Sequence, residues 1–345
     1  MSATTERPAG PGSVPTTLIG TGAIAPGAGP GSGAAPGART GFGRRKPRGS
    51  KQPRTKTPRV DAPAQQRVLA LILTMISATI LALLANLVLI SPIQNYASQK
   101  SLFSELRLSL AEGSAPTGPV DENGQLIPPG TPLAVFAAPS VGLPQEVVVE
   151  GTASAQTMLG IGHRRDTVLP CQVGTSVLMA RASSYGAAGS GFQALKQGDR
   201  FGVTTSQGAC SYEVIGIRMA GDVAPPPVTG REGRLTLTTA AGAPFMPTEV
   251  YRVDARLVSD GFDRPAVAIP TAALPPAEAA MGTDSSNLFG LVLLVQLLVA
   301  LGFALAWLWR RWGRGRTWLV GFPPVLAVGL LAASAITQWL IPNLL

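Results

Sequence analysis

The chain has 345 residues, 46% hydrophobic and only 14% charged, with a formal net charge of +9. Two cysteines and one histidine are too few for the usual zinc sites or for a disulfide-rich scaffold, and call for no metal and no cofactor. The positive charge flanks long apolar runs, a topogenic pattern rather than a nucleic-acid footprint.

Residues 1–67 carry eleven Lys/Arg against Glu6 and Asp61 and are rich in Gly and Pro, which predicts a disordered, basic cytoplasmic tail. Its RRKPRGSKQPRTKTPR run suits either plain solvation or contact with anionic lipid. Residues 68–90 hold no charge over 23 positions, enough to cross ~30 Å of hydrocarbon as a first transmembrane helix. Segment 91–132 reads as a membrane-proximal helix and linker. Its Pro92–Leu110 stretch sets Leu102, Phe103, Leu106 and Leu110 on one face.

From 133 to 260 come short β-branched segments split by turn residues: LAVFAA, EVVVEG, TSVLMARA, RFGVTT, YEVIGIR, RLTLTTA and YRVDARLV. Seven or eight such strands predict a mainly β, closed β-barrel domain. Residues 261–287 form a Pro/Ala-rich tether, 288–309 a second span, 310–317 a basic loop, and 318–341 a third span that contains Pro323 and Pro324. The tail and the arginine-rich loop belong on the cytoplasmic side, which leaves the acid-leaning 93–287 segment and the final IPNLL outside. Three spans exceed what anchoring needs, so a second membrane protein is an expected partner besides the bilayer. Asn86 and Gln296 are the candidate interhelical hydrogen-bonders. No nucleic-acid partner is expected.

The segments VFAAPSVGLPQEVVVEGT (135–152), GIGHRRDTVLPCQVGTSVLMARASSYGAAGSGFQALKQGDRFGVTT (160–205) and RLTLTTA (234–240) resemble the sortases of Gram-positive bacteria, closest to the class E-like ones. The resemblance covers about 93–258 in unbroken order. It implies a sortase-type barrel whose chemistry rests on a cysteine nucleophile, a histidine acid/base and an arginine. A thiolate attacks, the leaving amine needs a proton, and the oxyanion needs a donor.

At these positions the chain departs from the family. Ala240 stands where the "TLTTC" strand has its cysteine, Arg181 stands where the histidine belongs, and the arginine position falls on Val250 or, two residues on, Arg252. The resemblance therefore implies a degenerate site in which His163, Arg181, Thr239 and Arg252 are the candidate groove-binding residues. Arg181 and Arg252 are read either as facing one another around an anion or as ordinary polar residues, Arg252 beside Asp254.

Cys171 and Cys210 admit three states: a disulfide on the oxidising side of the membrane, two inert thiols, or a relocated nucleophile working with His163. His163 is otherwise a polar loop residue. Three functions remain open. The chain is an envelope binding, assembly or regulatory module that holds an extended peptide or a cell-envelope protein; or a transpeptidase with a displaced cysteine; or a purely structural protein.

Overall fold

The computed structural model describes residues 63–121, 123–265 and 269–345. Most of the expected tail, residues 1–62, lies outside the described residues. The first helix, α1 (Ala64–Ala85), starts four residues ahead of the predicted span. Ala64 to Arg67 are good helix formers with no breaker among them. A single π turn, Asn86–Ile90, joins α1 to α2 (Ser91–Glu112), so one helical rod runs from 64 to 112. The π turn sits just before Pro92, whose missing N–H removes the α-type hydrogen bond to Val88.

The rod docks on the barrel. Leu102 is buried against Val147 and Val149 with Phe103 beside it, whereas Leu110, two turns on, is 42% exposed and outside the contact. Gln99 joins helix to sheet with one amide: Val147 N–H donates to its Oε1 at 2.7 Å, and its Nε2 donates to Leu159 O at 2.8 Å. Gln99→Ala leaves both backbone groups without these partners, at a cost of about 2 kcal/mol. Hydrogen exchange of the Val147 amide is expected to quicken roughly 30-fold; an unchanged rate would mean that the rod does not depend on this bridge.

Eight strands follow: β1 (Pro132–Ala138), β2 (Leu143–Glu150), β3 (Ile161–His163), β4 (Gly174–Met179), β5 (Arg200–Thr205), β6 (Gly208–Arg218), β7 (Gly233–Ala243) and β8 (Met246–Leu257). They close in the order β1-β2-β3-β4-β7-β8-β6-β5, with β5 returning to β1. The β2–β3 and β4–β7 pairs are parallel and the others antiparallel. Two short helices, α3 (Ser154–Leu159) and α4 (Ala188–Ala194), are inserted between strands. Seven strands match the seven β-branched segments. The eighth, β3, is only three residues long and contains Gly162, so no two-residue period could develop in it.

Alternation puts Phe136, Val148, Ile161, Leu178, Phe201, Leu235, Leu237, Val253 and Ala255 in the core. Phe136 packs on Phe192 and Phe201 with ring centroids 5.5 and 5.1 Å apart, and Phe201 stacks on Tyr212 at 5.6 Å.

The Pro/Ala-rich tether lies along the barrel as a strap. Thr271 Oγ1 donates to Asp166 Oδ2 at 2.8 Å, Thr152 Oγ1 donates to Glu278 O at 2.7 Å, and Glu278 is buried. Its prolines favour two short 3-10 turns, Thr271–Ala273 and Pro276–Glu278, that keep it close to the surface.

The expected 310–317 loop shrinks to one residue. Helix α5 (Leu288–Trp312) and helix α6 (Arg314–Leu340) meet at Gly313, whose φ of +78° suits a residue without Cβ. Arg310 and Arg311 complete the last turn of α5, where cations favour the helix C-terminus. Arg311 lies over Trp307 and Arg314 over Trp309. Three helices of the described chain are long and apolar enough to cross a membrane: the rod ending at Glu112, α5 and α6. Gln296 is exposed on α5, whereas Asn86 is buried with neither amide atom hydrogen-bonded.

Candidate functional site

Because Leu178, Leu237 and Val253 face the core, the alternate residues of β4, β7 and β8 face out. That outer face carries Val177 and Met179, then Thr236, Thr238 and Ala240, then Val250, Arg252 and Asp254. Met179 pairs with Thr238, Ala240 with Val250, and Thr238 with Arg252. Ala240 and Val250 are therefore neighbours, and Arg252 lies one outward position further along the same face.

Ala240 is buried. It packs with Met179 and Leu344, surrounded by Val177, Ala182, Val250, Ala280 and Met281. The Ala240 end of the face is thus covered by the strap and by residues that follow α6.

Arg181, two residues past β4, is fully enclosed at 1% exposure. Its Nη2 donates to Ser154 Oγ at 2.6 Å and its Nη1 to Ser184 Oγ at 3.4 Å, and the guanidinium lies 5.4 Å from the Tyr185 ring centroid. Among the described residues no carboxylate lies within ion-pair distance of it. Burial holds its pKa down to about 10.

Arg252 is half-buried elsewhere on the face, and the two arginines do not meet around a common ligand site. Burial, then the charges of Arg218 and Arg164, depress its pKa against the pull of Asp254. Asp254, the acid expected to accompany Arg252, is instead held by Arg218 through Nε to Oδ2 and through Nη2 to Oδ1 at 3.2 Å, and by the Thr236 hydroxyl at 2.6 Å. Arg218 stands opposite Arg252 in the next strand, which brings it diagonally to Asp254. Thr239, unlike Arg252, does not line the outer face. It points the other way from Ala240, donates to Ala180 O at 2.9 Å, and abuts Gly189 of α4, where a Cβ would come within 2.1 Å of its hydroxyl.

His163 is no loop residue. It ends β3 at 1% exposure, with Nδ1 2.9 Å from Glu150 Oε2 and Nε2 2.9 Å from Val168 O. Carboxylate and carbonyl oxygens only accept, so these two contacts favour the imidazolium, while the Thr167 hydroxyl also lies 3.2 Å from Nε2. Burial alone lowers its pKa, but the Glu150 charge, the hydrogen bonds to Glu150 and Val168, and the Asp166 charge together raise it above the ordinary histidine value. Arg165 extends the network, with Nε 3.9 Å from Glu150 Oε1 and Nη1 3.3 Å from Glu278 Oε1. A cleft of about 410 Å³ opens beside it, lined by Glu150, His163, Arg165, Thr167 and Arg264 among others.

Cys171 and Cys210 are bonded to each other, with Cα atoms 5.7 Å apart, and both lie in the barrel core. Cys171 takes φ +72°, and its N–H donates to the Tyr212 hydroxyl at 2.7 Å. Neither sulfur reaches the outer face, and neither is paired with His163, whose nitrogens are both engaged.

The barrel is similar to that of sortases. Among solved structures the chain is similar to a Clostridium perfringens Sortase D5 transpeptidase at 19% identity, covering 47% of this chain and 99% of that one, with a TM-score of 0.39. It is similar to sortase E of Streptomyces avermitilis at 23% identity, covering 44% and 100%, with a TM-score of 0.31. It is also similar to sortase A of Corynebacterium diphtheriae at 16% identity, covering 49% and 86%, with a TM-score of 0.34. No protein-family model and no curated protein matches the chain.

Glu150, Ser154, Ser184, Asn343 and Leu344 complete this region of the sortase-like barrel, and none of them stood out in the sequence. Glu150 alone left a signal, as a lone acid closing the apolar VVVE run within reach of the only histidine. Asn343 and Leu344 left none, because they are more than 100 residues beyond the barrel residues they meet, Ala240 and Thr152.

Proposed function

We propose that this protein is a membrane-anchored, sortase-like module that binds a peptide or envelope protein on the outer side of the membrane and performs no transpeptidation. The reading is carried by Ala240, which stands on the outer face of β7 at the position where the sortase resemblance calls for the nucleophile. No thiol compensates for it, since both cysteines of the chain are tied in the core disulfide. Without a thiolate on that face no acyl-enzyme forms there. Arg181 cannot replace the histidine, because a guanidinium keeps its proton at neutral pH even with its pKa at about 10. The charge pattern supports a cytoplasmic tail and an outward barrel.

The test uses the full chain in lipid nanodiscs with a labelled sorting-motif peptide and an oligoglycine amine. No cleavage or transfer is expected, and no iodoacetamide uptake before reduction. Peptide cleavage that alkylation abolishes would overturn the reading in favour of a cysteine transpeptidase.

A further inference from the structure

The Ala240 end of the outer face holds a ligand of the chain's own making. Helix α6 ends at Leu340, Ile341 leaves it in extended conformation, and residues 342–345 close a turn in which Leu345 N–H donates to Pro342 O at 3.1 Å. The segment is hydrogen-bonded to both the barrel and the strap, with the buried Asn343 Oδ1 left without a partner. Ala182 N–H donates to Leu344 O at 2.8 Å, Ser184 Oγ donates to Leu345 O at 2.7 Å, and Asn343 N–H donates to Gly282 O at 2.9 Å.

Its two central side chains are entirely buried. Leu344 fills the apolar pocket of Met179 and Ala240. The Asn343 Nδ2 group sits among three carbonyl oxygens, those of Thr152 at 2.7 Å, Ala279 at 2.9 Å and Ala277 at 3.4 Å. Three acceptors around one NH₂ select a carboxamide and reject a carboxylate, which could only repel them. Main-chain hydrogen bonds combined with side-chain pockets are the means by which proteins bind peptides.

We infer that this end of the face is a peptide-recognition site for a segment presenting a carboxamide followed by an apolar side chain, and that residues 341–345 occupy it in cis. The inference rests on the peptide-binding reading above. An incoming peptide must displace the tethered segment, which competes at the effective millimolar concentration of an intramolecular ligand. Because the segment continues directly from α6, recognition at the barrel and the membrane helix are mechanically joined.

A single reporter cysteine at Ala240→Cys tests this in the full chain in nanodiscs, with alkylation rate as the readout. In the otherwise intact chain the thiol is expected to be shielded, and adding Asn343→Asp is expected to speed labelling at least about 100-fold. Millimolar Ile-Pro-Asn-Leu-Leu peptide should restore protection, and the same peptide with aspartate in place of asparagine should not. Leu344→Asp is the second disrupting variant, and unchanged hydrogen exchange of the Leu237 core amide shows that the barrel stays folded. Rapid labelling without any disruption would overturn occupancy in cis. Exposure by Asn343→Asp without re-protection by the peptide would overturn the site as a receptor. Neither result bears on the absence of transpeptidation, which has its own assay.

Discussion

Replacing Cys171 and Cys210 together by alanine is expected to destabilise the barrel by about 4 kcal/mol. The bond joins residues 39 apart in sequence, and closing a loop of that length raises the free energy of the unfolded chain by roughly this much through lost entropy. It ties the turn between β3 and β4 to β6 inside the core, so its loss is felt by the whole barrel rather than at an edge. Exchange of the core amides of β7, such as that of Leu237, should quicken by about a thousandfold. A change of less than tenfold would show that the crosslink adds little to a barrel already closed by its ladder.

The second large effect concerns His163. Removing its ring by His163→Ala leaves the buried Glu150 with Arg165 at 3.9 Å as its nearest cation, and should destabilise the barrel by about 3 kcal/mol near pH 6. The sign of the pH dependence follows from the direction of the shift. The folded-state pKa of His163 is raised, so the folded chain holds the proton more tightly than the unfolded one. Its stabilisation is therefore complete below about pH 6.5 and is lost as pH climbs through the folded value. Glu146, whose carboxyl is pushed up to about 7 by burial, and Glu278, raised chiefly by burial against the pull of Arg165, act in the same sense from about pH 4.5 upward, and Glu146 overlaps His163 up to about pH 7. Urea unfolding of the full chain across pH 5–9, read by proteolysis and repeated with Glu146→Gln, separates them. His163→Ala should flatten the part of the curve above about pH 7 and leave the part below pH 6 in place. An unchanged slope above pH 7 would assign it to another group.

Both effects act on residues whose importance shows at different levels. The three long apolar helices were legible because twenty or more uncharged residues in a row suit a bilayer span, and seven strands were legible because β-branched runs between turn residues repeat. Helix ends were less so: α5 continued through its arginines to Trp312 because nothing but Gly313 interrupts it. At the site, the substitution of Ala240 and Arg181 at positions implied by the sortase resemblance was visible in the chain. The roles of the candidate residues were not. His163 reads as a loop polar group because β3 is too short to show a period, and the sortase resemblance that names Thr239 and Arg252 does not say that Thr239 points away from the face on which Ala240 and Arg252 lie. The two cysteines could be listed as bonded, free or reactive, and only their Cα separation chose among these.

Local chemistry thus determined which segments are long and apolar enough to span a membrane, which become strands, and that the position of the sortase nucleophile holds no thiol. Tertiary structure alone decided what lies against that position. Residues 341–345 meet Ala240, Thr152 and Ala182 across 100 to 190 residues of chain, and such contacts depend on the closure of the barrel, the docking of the strap, and the return of α6. No period or motif in the five residues encodes them, because most of their hydrogen bonds go to backbone carbonyls and amides that any sequence would supply, with only the Ser184 and Arg181 side chains added.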